Sequence, residues 1–366
     1  MIRRMTAMKL IPLLAAACLF TACAEGGNEP RITVVSDADS KAGKPDMPVE
    51  SIENIVQLDQ AEIMDWVDEH TIIVAKENEA LGKMSLAELA DSYPRSLYLY
   101  DLDTRQYTLL KEQKNAHLGG AVLSPDKKHL IYAEYSLGDS VYNVMNMDSL
   151  DTFRLTGAPI GGAASASWAD SATIVGSAYS GGAYLATLDG RMTAAGKLEE
   201  AGLYLVEKIG DTLYYNTQSD ASLKALNVVT LEQKSLHLDN VTNVLPSPDG
   251  RQLLVRQVND AKTTLLLCDL NGKIDRTIAE GTELTGISWS PDQRIVAYGL
   301  RSDANGAAVN GLYLYDMLTD KSTRIAVDFE PVTTAWSPSG ERLVYAEWNE
   351  KPSRSGVIDI HFSLQR

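Results

Sequence analysis

The sequence predicts an all-β protein built as a β-propeller of seven four-stranded blades, with six blades as the alternative. One short motif recurs along the chain, and its copies start 38 to 57 residues apart. Each copy leads into segments rich in β-branched and aromatic residues, which are typical of strands. Helical patterns are nearly absent. Because the interval suits one four-stranded blade, we expect a radial arrangement of such units.

The motif joins two strands through a tight turn. In its clearest copy, Trp289 ends a first strand, Ser290-Pro291-Asp292 form the turn, and an apolar strand follows. Proline presets φ, aspartate bonds the following backbone, and a glycine after it takes a positive φ. The copy at Val206 is degenerate, which leaves six blades as the alternative. The other copies start at Trp66, Leu123, Trp168, Pro246 and Trp336. We interpret the tryptophans as packing between blades.

Each unit continues with a third strand that ends in aspartate, at Asp101, Asp269 and Asp316, and then a fourth strand. The last unit lacks a fourth strand before the chain ends. Residues 51–58, just upstream of the first unit, are predicted to supply it. Pairing of the N- and C-terminal strands would close the ring and remove two exposed strand edges, which otherwise favour aggregation.

The start of the chain indicates export. Arg3, Arg4 and Lys9 precede an apolar run from Leu10 to Phe20, which is about half the roughly 20 residues that a membrane-spanning helix needs. We therefore predict a signal peptide at residues 1–22. Residues 23–50 are rich in Gly, Pro, Asp and Ser and are predicted to be a flexible tether. The propeller domain is predicted to cover residues 51–366.

The composition argues against two classes of function. The formal net charge is −16, and loss of the basic leader makes it more negative, so binding to nucleic acid is disfavoured. Of the three cysteines, only Cys268 lies beyond the leader and its cleavage region, which excludes a disulfide framework. Cys268 stands in an apolar strand segment, so we interpret it as a small buried hydrophobic residue.

The sequence carries no recognisable motif for catalysis, cofactor binding or metal binding. The five histidines are scattered, and no nucleotide-binding glycine motif occurs. Residues 178–182 approach a nucleophile elbow but lack its first glycine, and a glycine-rich hairpin turn is the simpler interpretation. Asp101 and Asp103 are interpreted as turn residues rather than calcium ligands, because aspartate recurs there in other units. We predict no enzyme activity, no cofactor and no metal.

Two insertions depart from the repeat and mark a candidate partner-binding face. Residues 77–93 contain a capping-box pattern beginning at Ser85, which predicts a short amphipathic helix. Residues 301–310 occupy the equivalent place in the sixth unit. Since both insertions join second to third strands, they should emerge on one face. The candidate partner-binding residues are Leu86, Leu89, Tyr93, Arg301, Asn305 and Trp348.

Two resemblances add to this interpretation. The Trp-Ser-Pro-Asp-Gly-type repeats resemble those of TolB-type (PD40, or WD40-like) propellers, which serve as partner-binding modules and as accessory domains of peptidases. Residues Phe20-Thr21-Ala22-Cys23 resemble the lipobox of bacterial lipoproteins, which implies diacylation of Cys23. Cleavage by the ordinary signal peptidase is the alternative, because leucine is usual where Phe20 stands. A lipobox followed by this propeller is similar to uncharacterised surface lipoproteins of Firmicutes.

From these observations we expect a monomeric, non-catalytic scaffold. It would be held by lipid on the extracytoplasmic face of the cell membrane, or at the outer membrane if the host has one. Its partner would be an envelope protein or peptide. The alternative from another class is a propeller enzyme or carbohydrate-binding protein with its site in the central channel.

Overall fold

The computed structural model describes residues 48–85, 89, 91–196, 198, 202–303, 309–327, 333–347 and 354–364. These residues form seven four-stranded antiparallel sheets, the blades of a propeller, and one additional two-stranded hairpin. The predicted number of blades is therefore confirmed, and the six-blade alternative is not. No helix among the described residues has the length and apolar character needed to cross a bilayer.

The strands follow one another in chain order, apart from the first. Strand β1 is Pro48–Asp59. Blade 1 consists of β2 Ala61–Trp66, β3 Thr71–Glu77, β4 Arg95–Asp101 and β5 Gln106–Lys111. Blade 2 consists of β6 His117–Leu123, β7 His129–Tyr135, β8 Val141–Asn146 and β9 Thr152–Arg154. The extra hairpin pairs β10 Thr156–Gly157 with β11 Gly161–Gly162.

Blade 3 consists of β12 Ser167–Trp168, β13 Thr173–Ser177, β14 Ala183–Thr187 and β15 Met192–Ala194. Blade 4 consists of β16 Leu203–Ile209, β17 Thr212–Thr217, β18 Lys224–Asn227 and β19 Gln233–Ser235. Blade 5 consists of β20 Val241–Pro246, β21 Gln252–Asn259, β22 Lys262–Asp269 and β23 Ile274–Gly281. Blade 6 consists of β24 Glu283–Trp289, β25 Ile295–Ser302, β26 Val309–Asp316 and β27 Lys321–Val327.

Blade 7 closes the ring with both ends of the propeller domain. Its first three strands are β28 Thr333–Trp336, β29 Arg342–Glu347 and β30 Arg354–Leu364. Strand β1 supplies the fourth and pairs antiparallel with β30 from Pro48 opposite Leu364 to Asp59 opposite Arg354. The predicted closure by N- and C-terminal strands is confirmed.

The core lies between blades rather than within them. Seven apolar clusters separate the seven pairs of neighbouring blades. Successive residues of β3 alternate between two of them: Ile72 and Val74 face blade 7, whereas Ile73 and Ala75 face blade 2. Because both faces of the second strand are buried, its sequence is continuously apolar instead of alternating. Cys268 is buried in the cluster between blades 4 and 5, and burial raises the pKa of its thiol to about 12.

The repeated tryptophans all lie at these interfaces. Trp66 is fully buried between blades 7 and 1, and its indole Nε1 donates to the carbonyl of Ala335 at 3.0 Å. Trp168 donates in the same way to Val122 of the preceding blade. The Nε1 atoms of Trp289 and Trp336 are buried without an acceptor among the described residues.

The serine of the repeated turn has a role that the sequence did not indicate. Ser290 is 2% exposed; its hydroxyl donates to Asp292 at 2.6 Å and accepts from the backbone N–H of Ile295 at 2.9 Å. The buried Ser124 and Ser247 make the same two bonds. The hydroxyl therefore holds the turn closed while satisfying a backbone donor at the start of the second strand. In blade 4 the two-residue turn Gly210-Asp211 replaces this motif, which explains its degenerate sequence.

Replacing Gln293 with glycine should stabilise the protein by about 0.5–1 kcal/mol. Gln293 has φ 62°, whereas Gly250 and Gly340 occupy the same turn position at 66° and 75°. A side chain in this left-handed region costs about 1–2 kcal/mol, which the greater freedom of glycine in the unfolded chain partly offsets. Urea unfolding measures the difference. The reciprocal change Gly250→Gln should lower the free energy of unfolding. If Gln293→Gly lowers it as well, the backbone of Gln293 is not strained.

The propeller has two distinct faces. The tight-turn face carries the turns between first and second strands and between third and fourth strands. The loop face carries the connections between second and third strands and those that lead to the next blade. The first strands of neighbouring blades contact one another around the central channel, as β2 does with β6 and β28. Strand β1 begins on the tight-turn face, because Pro48 pairs with the end of the third strand of blade 7.

Candidate functional site

The first predicted insertion folds back onto the loop face of blade 1. Asn78 anchors it: its backbone N–H donates to Pro94, and its side-chain amide donates to Ser96 and to Glu112 at 3.1 and 3.0 Å. The backbone N–H of Ser85 donates to Asn115 Oδ1 at 2.9 Å. The anchored part of the insertion is therefore fixed against the connection between blades 1 and 2.

The predicted helix of this insertion falls partly outside the described residues. The described part contains a 3₁₀ turn at Glu79–Leu81, which precedes the predicted capping box. Leu89 and Tyr93 are half-buried. Leu86, Glu88 and Ala90 lie outside the described residues, as do Asn305 and Trp348, so these parts of the prediction stay predictions.

The second insertion is shorter than predicted. Strand β25 runs through Ser302 and β26 starts at Val309, so that Arg301 pairs with Asn310 within the sheet. Cross-strand pairing absorbs both ends, and only residues 303–308 connect the strands. Both insertions join second to third strands on the loop face, as predicted. They stand on blades 1 and 6, with blade 7 between them.

A polar cluster lies where blades 1 and 2 meet on the loop face. Arg95 forms an ion pair with Glu62, and its backbone N–H donates to Nδ1 of His117 at 3.3 Å. Since Nδ1 accepts, the neutral imidazole carries its proton on Nε2. Burial, and then the neighbouring Arg95, lower the pKa of His117, against an opposing effect of Glu77. The cluster therefore offers hydrogen bonds with little net charge.

Tyr135 connects this cluster to the innermost strand of blade 2. It pairs with His117 in the sheet, and its ring lies over Gly119 and Gly120. Gly120 has φ +57°, and a Cβ there would lie 2.8 Å from the Tyr135 hydroxyl. The glycines thus make room for the ring. Burial, followed by Tyr142 and Glu62, raises the Tyr135 pKa, so its hydroxyl is a donor at neutral pH.

Tyr135, Leu137, Tyr142 and Tyr179 form an aromatic patch across blades 2 and 3. Tyr135 is 40% exposed, Leu137 51% and Tyr179 46%. The Tyr179 hydroxyl donates to the carbonyl of Ser140 in blade 2 at 3.1 Å. Burial and then Tyr142 raise the pKa of Tyr135, and burial, then Asp139, then Tyr142 raise the pKa of Tyr179. The patch therefore presents apolar area together with the Tyr135 hydroxyl on the loop face.

The hairpin β10–β11 supports this patch. It belongs to a glycine-rich connection at residues 155–166 between blades 2 and 3, and the backbone N–H of Tyr179 donates to Gly162 at 2.9 Å. A Cβ at Gly162 would lie 3.2 Å from the Tyr179 ring. Residues 178–182 form the predicted glycine-rich hairpin turn between β13 and β14 on the loop face, with Gly181 and Gly182 at positive φ.

A titratable side chain links the first strands of blades 3 and 4. Glu207 on β16 accepts a hydrogen bond from Ser167 Oγ on β12 at 3.1 Å. Burial raises the pKa of Glu207 to about 7, although the bond from Ser167 opposes the shift. No group of three or more His, Cys, Asp or Glu is placed to hold a metal ion within the part of the chain that the structure describes.

Asp101 stabilises the turn between β4 and β5, as predicted. Its Oδ1 accepts hydrogen bonds from the backbone N–H groups of Asp103 and Thr104 and from the Thr104 hydroxyl. These bonds, chiefly those from Thr104, lower its pKa. Asp103 instead contacts His70 Nδ1 at 2.8 Å. The two carboxylates therefore point to different partners.

Sequence reasoning missed the aromatic patch and the polar cluster. Their members are distributed over strands and turns of three blades, and each stands inside or just after an ordinary strand pattern. The glycine-rich segment 155–166 is the one signal that was available, because it lengthens the connection between the second and third repeats.

No protein-family model matches the sequence, and no curated protein sequence matches it either. The chain is similar in structure to oligogalacturonate lyase from Vibrio parahaemolyticus, with a TM-score of 0.64 and 11% identity over 87% of this chain and 100% of the lyase. An oligogalacturonate lyase in complex with manganese gives 0.61 and 13%, over 87% and 99% of the two chains. The WD40 β-propeller domain of Doa1 gives 0.57 and 12%, over 85% and 97%. At these identities the chain shares with these proteins a β-propeller fold.

Proposed function

We propose that this chain is a lipid-anchored, extracytoplasmic propeller that binds an envelope protein or peptide at its loop face without catalysis. The signal-peptide pattern and the lipobox resemblance at Cys23 support the anchor. The resemblance of the repeats to partner-binding propellers supports the binding role.

The aromatic patch is the observation that carries the proposal. Tyrosines are enriched among the residues that dominate protein interfaces, because they bury a large apolar area and also donate a hydrogen bond. Exposed apolar side chains that gather at one place on a monomer mark interaction sites more often than scattered ones do. Tyr135, Leu137 and Tyr179 gather in this way, beside a built polar cluster.

The polar cluster suits a peptide backbone. The Nε2–H of His117 and the hydroxyl of Tyr135 are donors, and Glu62 already neutralises Arg95. Carbonyl groups of a bound segment would accept from such donors without the desolvation cost of an unpaired charge. We infer that the partner's main chain lies beside His117 and Tyr135 and that its side chains contact the aromatic patch.

Replacing Tyr135 and Tyr179 together with serine should reduce partner capture at least tenfold. Each anchor tyrosine of an interface contributes about 2 kcal/mol or more. The measurement is crosslinked capture by the lipidated full-length protein, quantified by mass spectrometry. Tyr107→Ser is the matched control, since Tyr107 is a similarly exposed tyrosine on the outer strand of blade 1. Undiminished capture by the double variant would remove the patch from the proposal.

The predicted insertion residues form a second arm of the same experiment. Replacing Leu86 and Leu89 with aspartate should abolish capture without unfolding the propeller if the insertion contributes to the site. Arg301, Asn305 and Trp348 remain proposed contributors on the same grounds. Unchanged capture by the Leu86/Leu89 variant would restrict the site to blades 2 and 3.

The polar cluster also supports the alternative of a carbohydrate-binding protein or propeller enzyme. A neutral imidazole beside a phenol, near the channel mouth, binds sugar hydroxyls as readily as peptide carbonyls. Binding of soluble oligosaccharides that is lost with His117→Ala, together with no protein capture, would favour this alternative.

A further inference from the structure

The turns between third and fourth strands share one geometry in blades 1, 2, 4 and 6. The first residue of each turn is Asp or Asn, and its side chain accepts from backbone N–H groups two or three residues later. The N–H of the fifth residue donates to the carbonyl of the first, and that fifth residue has a positive φ. The first residues are Asp101, Asn146, Asn227 and Asp316, and the fifth are Arg105, Leu150, Leu231 and Asp320.

Three of these four turns project large apolar side chains into solvent. Leu150 is 48% exposed, Val229 70%, Leu231 44% and Leu318 77%; we call these four the tip residues. They occupy the third and fifth turn positions in blades 2, 4 and 6. Blade 1 has Asp103 and Arg105 in these positions and folds into the same turn. The turn therefore does not require apolar residues at its tip.

Stability would favour other residues at these positions. Leu150 and Leu231 both have φ 61°, a conformation that is unfavourable for bulky side chains and easy for Gly or Asn. About half of each side chain is exposed, so packing offsets only part of the strain. Residues held in costly conformations without a packing reason are candidates for function.

The position of the tips relative to the chain entry indicates what covers them. All lie on the tight-turn face, and three turns from alternate blades around the ring define a plane. In blade 7, the equivalent place is where Pro48 faces Leu364. The chain therefore enters the propeller on this same face.

We propose that the tight-turn face rests against the lipid bilayer, with the tip residues in the membrane interface. This inference depends on the lipid anchor of the proposed function. A segment of about 25 residues between Cys23 and Pro48 spans roughly 25–30 Å if flexible, which keeps the tips near the membrane at high effective concentration. The aromatic patch, on the opposite face, is then presented away from the membrane.

The negative charge of the protein requires that this membrane contact be apolar rather than electrostatic. The net charge of −16, and Asp148, Asp151 and Glu232 beside the tips, oppose attraction to anionic headgroups. Contact must therefore be apolar, through shallow insertion of leucine and valine side chains. This contact orients the propeller, whereas the acyl chains on Cys23 hold the protein at the membrane.

A fluorophore on the tips of the lipidated full-length protein tests this inference. The reporter is an environment-sensitive dye on Leu318→Cys, in vesicles of phosphatidylcholine with brominated acyl chains. The matched control is Val258→Cys on the loop face, which is 37% exposed. The native Cys268 is buried and its pKa is raised, so it does not compete for the dye. We expect the brominated lipid to quench the dye at 318 by about half or more and to leave that at 258 unchanged.

A combined variant separates membrane contact from folding. Leu150→Asn, Val229→Asn and Leu231→Asn together should reduce quenching at residue 318, while the thermal midpoint stays the same or rises because strain is relieved. The protein could float with the vesicles while neither dye is quenched, or while both are quenched equally. Either result would confirm the lipid anchor and contradict the proposed orientation. If the protein does not float, both the anchor and the orientation fail. If a protein shields the tips instead, quenching is absent and the inference is overturned.

Discussion

Replacing Leu58 with aspartate should lower the free energy of unfolding by about 4 kcal/mol or more. Leu58 is 3% exposed near the end of β1 and packs with Trp66, Ile72 and Val357 between blades 7 and 1. The substitution removes this apolar contact and places a carboxylate there without a charged partner, which is among the most costly changes in a core.

The effect on melting should be large and specific to closure. With an unfolding entropy of about 2.1 cal/mol/K per residue, a domain of roughly 320 residues loses about 1.5 °C of Tm per kcal/mol, so Tm should fall by about 6 °C or more. Thr108→Asp on the exposed side of outer strand β5 is the control and should change stability by less than about 0.5 kcal/mol. A Leu58→Asp variant that melts like the parent would mean that β1 does not close the ring.

Replacing Trp66 with alanine should cost about 3–5 kcal/mol, the range for removing a large aromatic residue from a core. The side chain is fully buried and contributes both packing and the hydrogen bond to Ala335. Thermal unfolding followed by circular dichroism measures the loss.

Phenylalanine at the same site separates packing from hydrogen bonding. Trp66→Phe leaves the Ala335 carbonyl without its donor, whereas Trp289→Phe removes an Nε1–H that has no acceptor among the described residues. We expect Trp66→Phe to cost about 1 kcal/mol more than Trp289→Phe. Equal losses would show that the bond to Ala335 contributes nothing.

The blade architecture was predictable because it repeats. Local turn chemistry of the kind seen at Ser290-Pro291-Asp292 recurs in most blades, together with two-sided burial of the second strand. The unpaired last unit indicated closure by residues 51–58. Even the degenerate blade 4 fits, since its two-residue turn at Gly210-Asp211 needs no such motif. The same weak sequence pattern in several blades supports the fold more strongly than any one copy does.

The candidate site was not predictable in the same way. Tyr135 and Tyr179 stand 44 residues apart in sequence, and they lie on one surface because the ring places blades 2 and 3 side by side. Their exposure depends on neighbours, including Gly120 and Gly162, whose missing side chains make room for the rings. The tip residues also follow ordinary strand patterns, and only their φ angles and exposure distinguish them from core positions.

The most direct test of partner binding at the loop face is site-specific photo-crosslinking in living cells. Benzoylphenylalanine replaces Tyr179 in one strain and Tyr107 in another, and the products are identified by mass spectrometry. We predict that one envelope protein is crosslinked from position 179 and is not crosslinked from position 107. No protein product from position 179, or the same products from both positions, would contradict the proposed function.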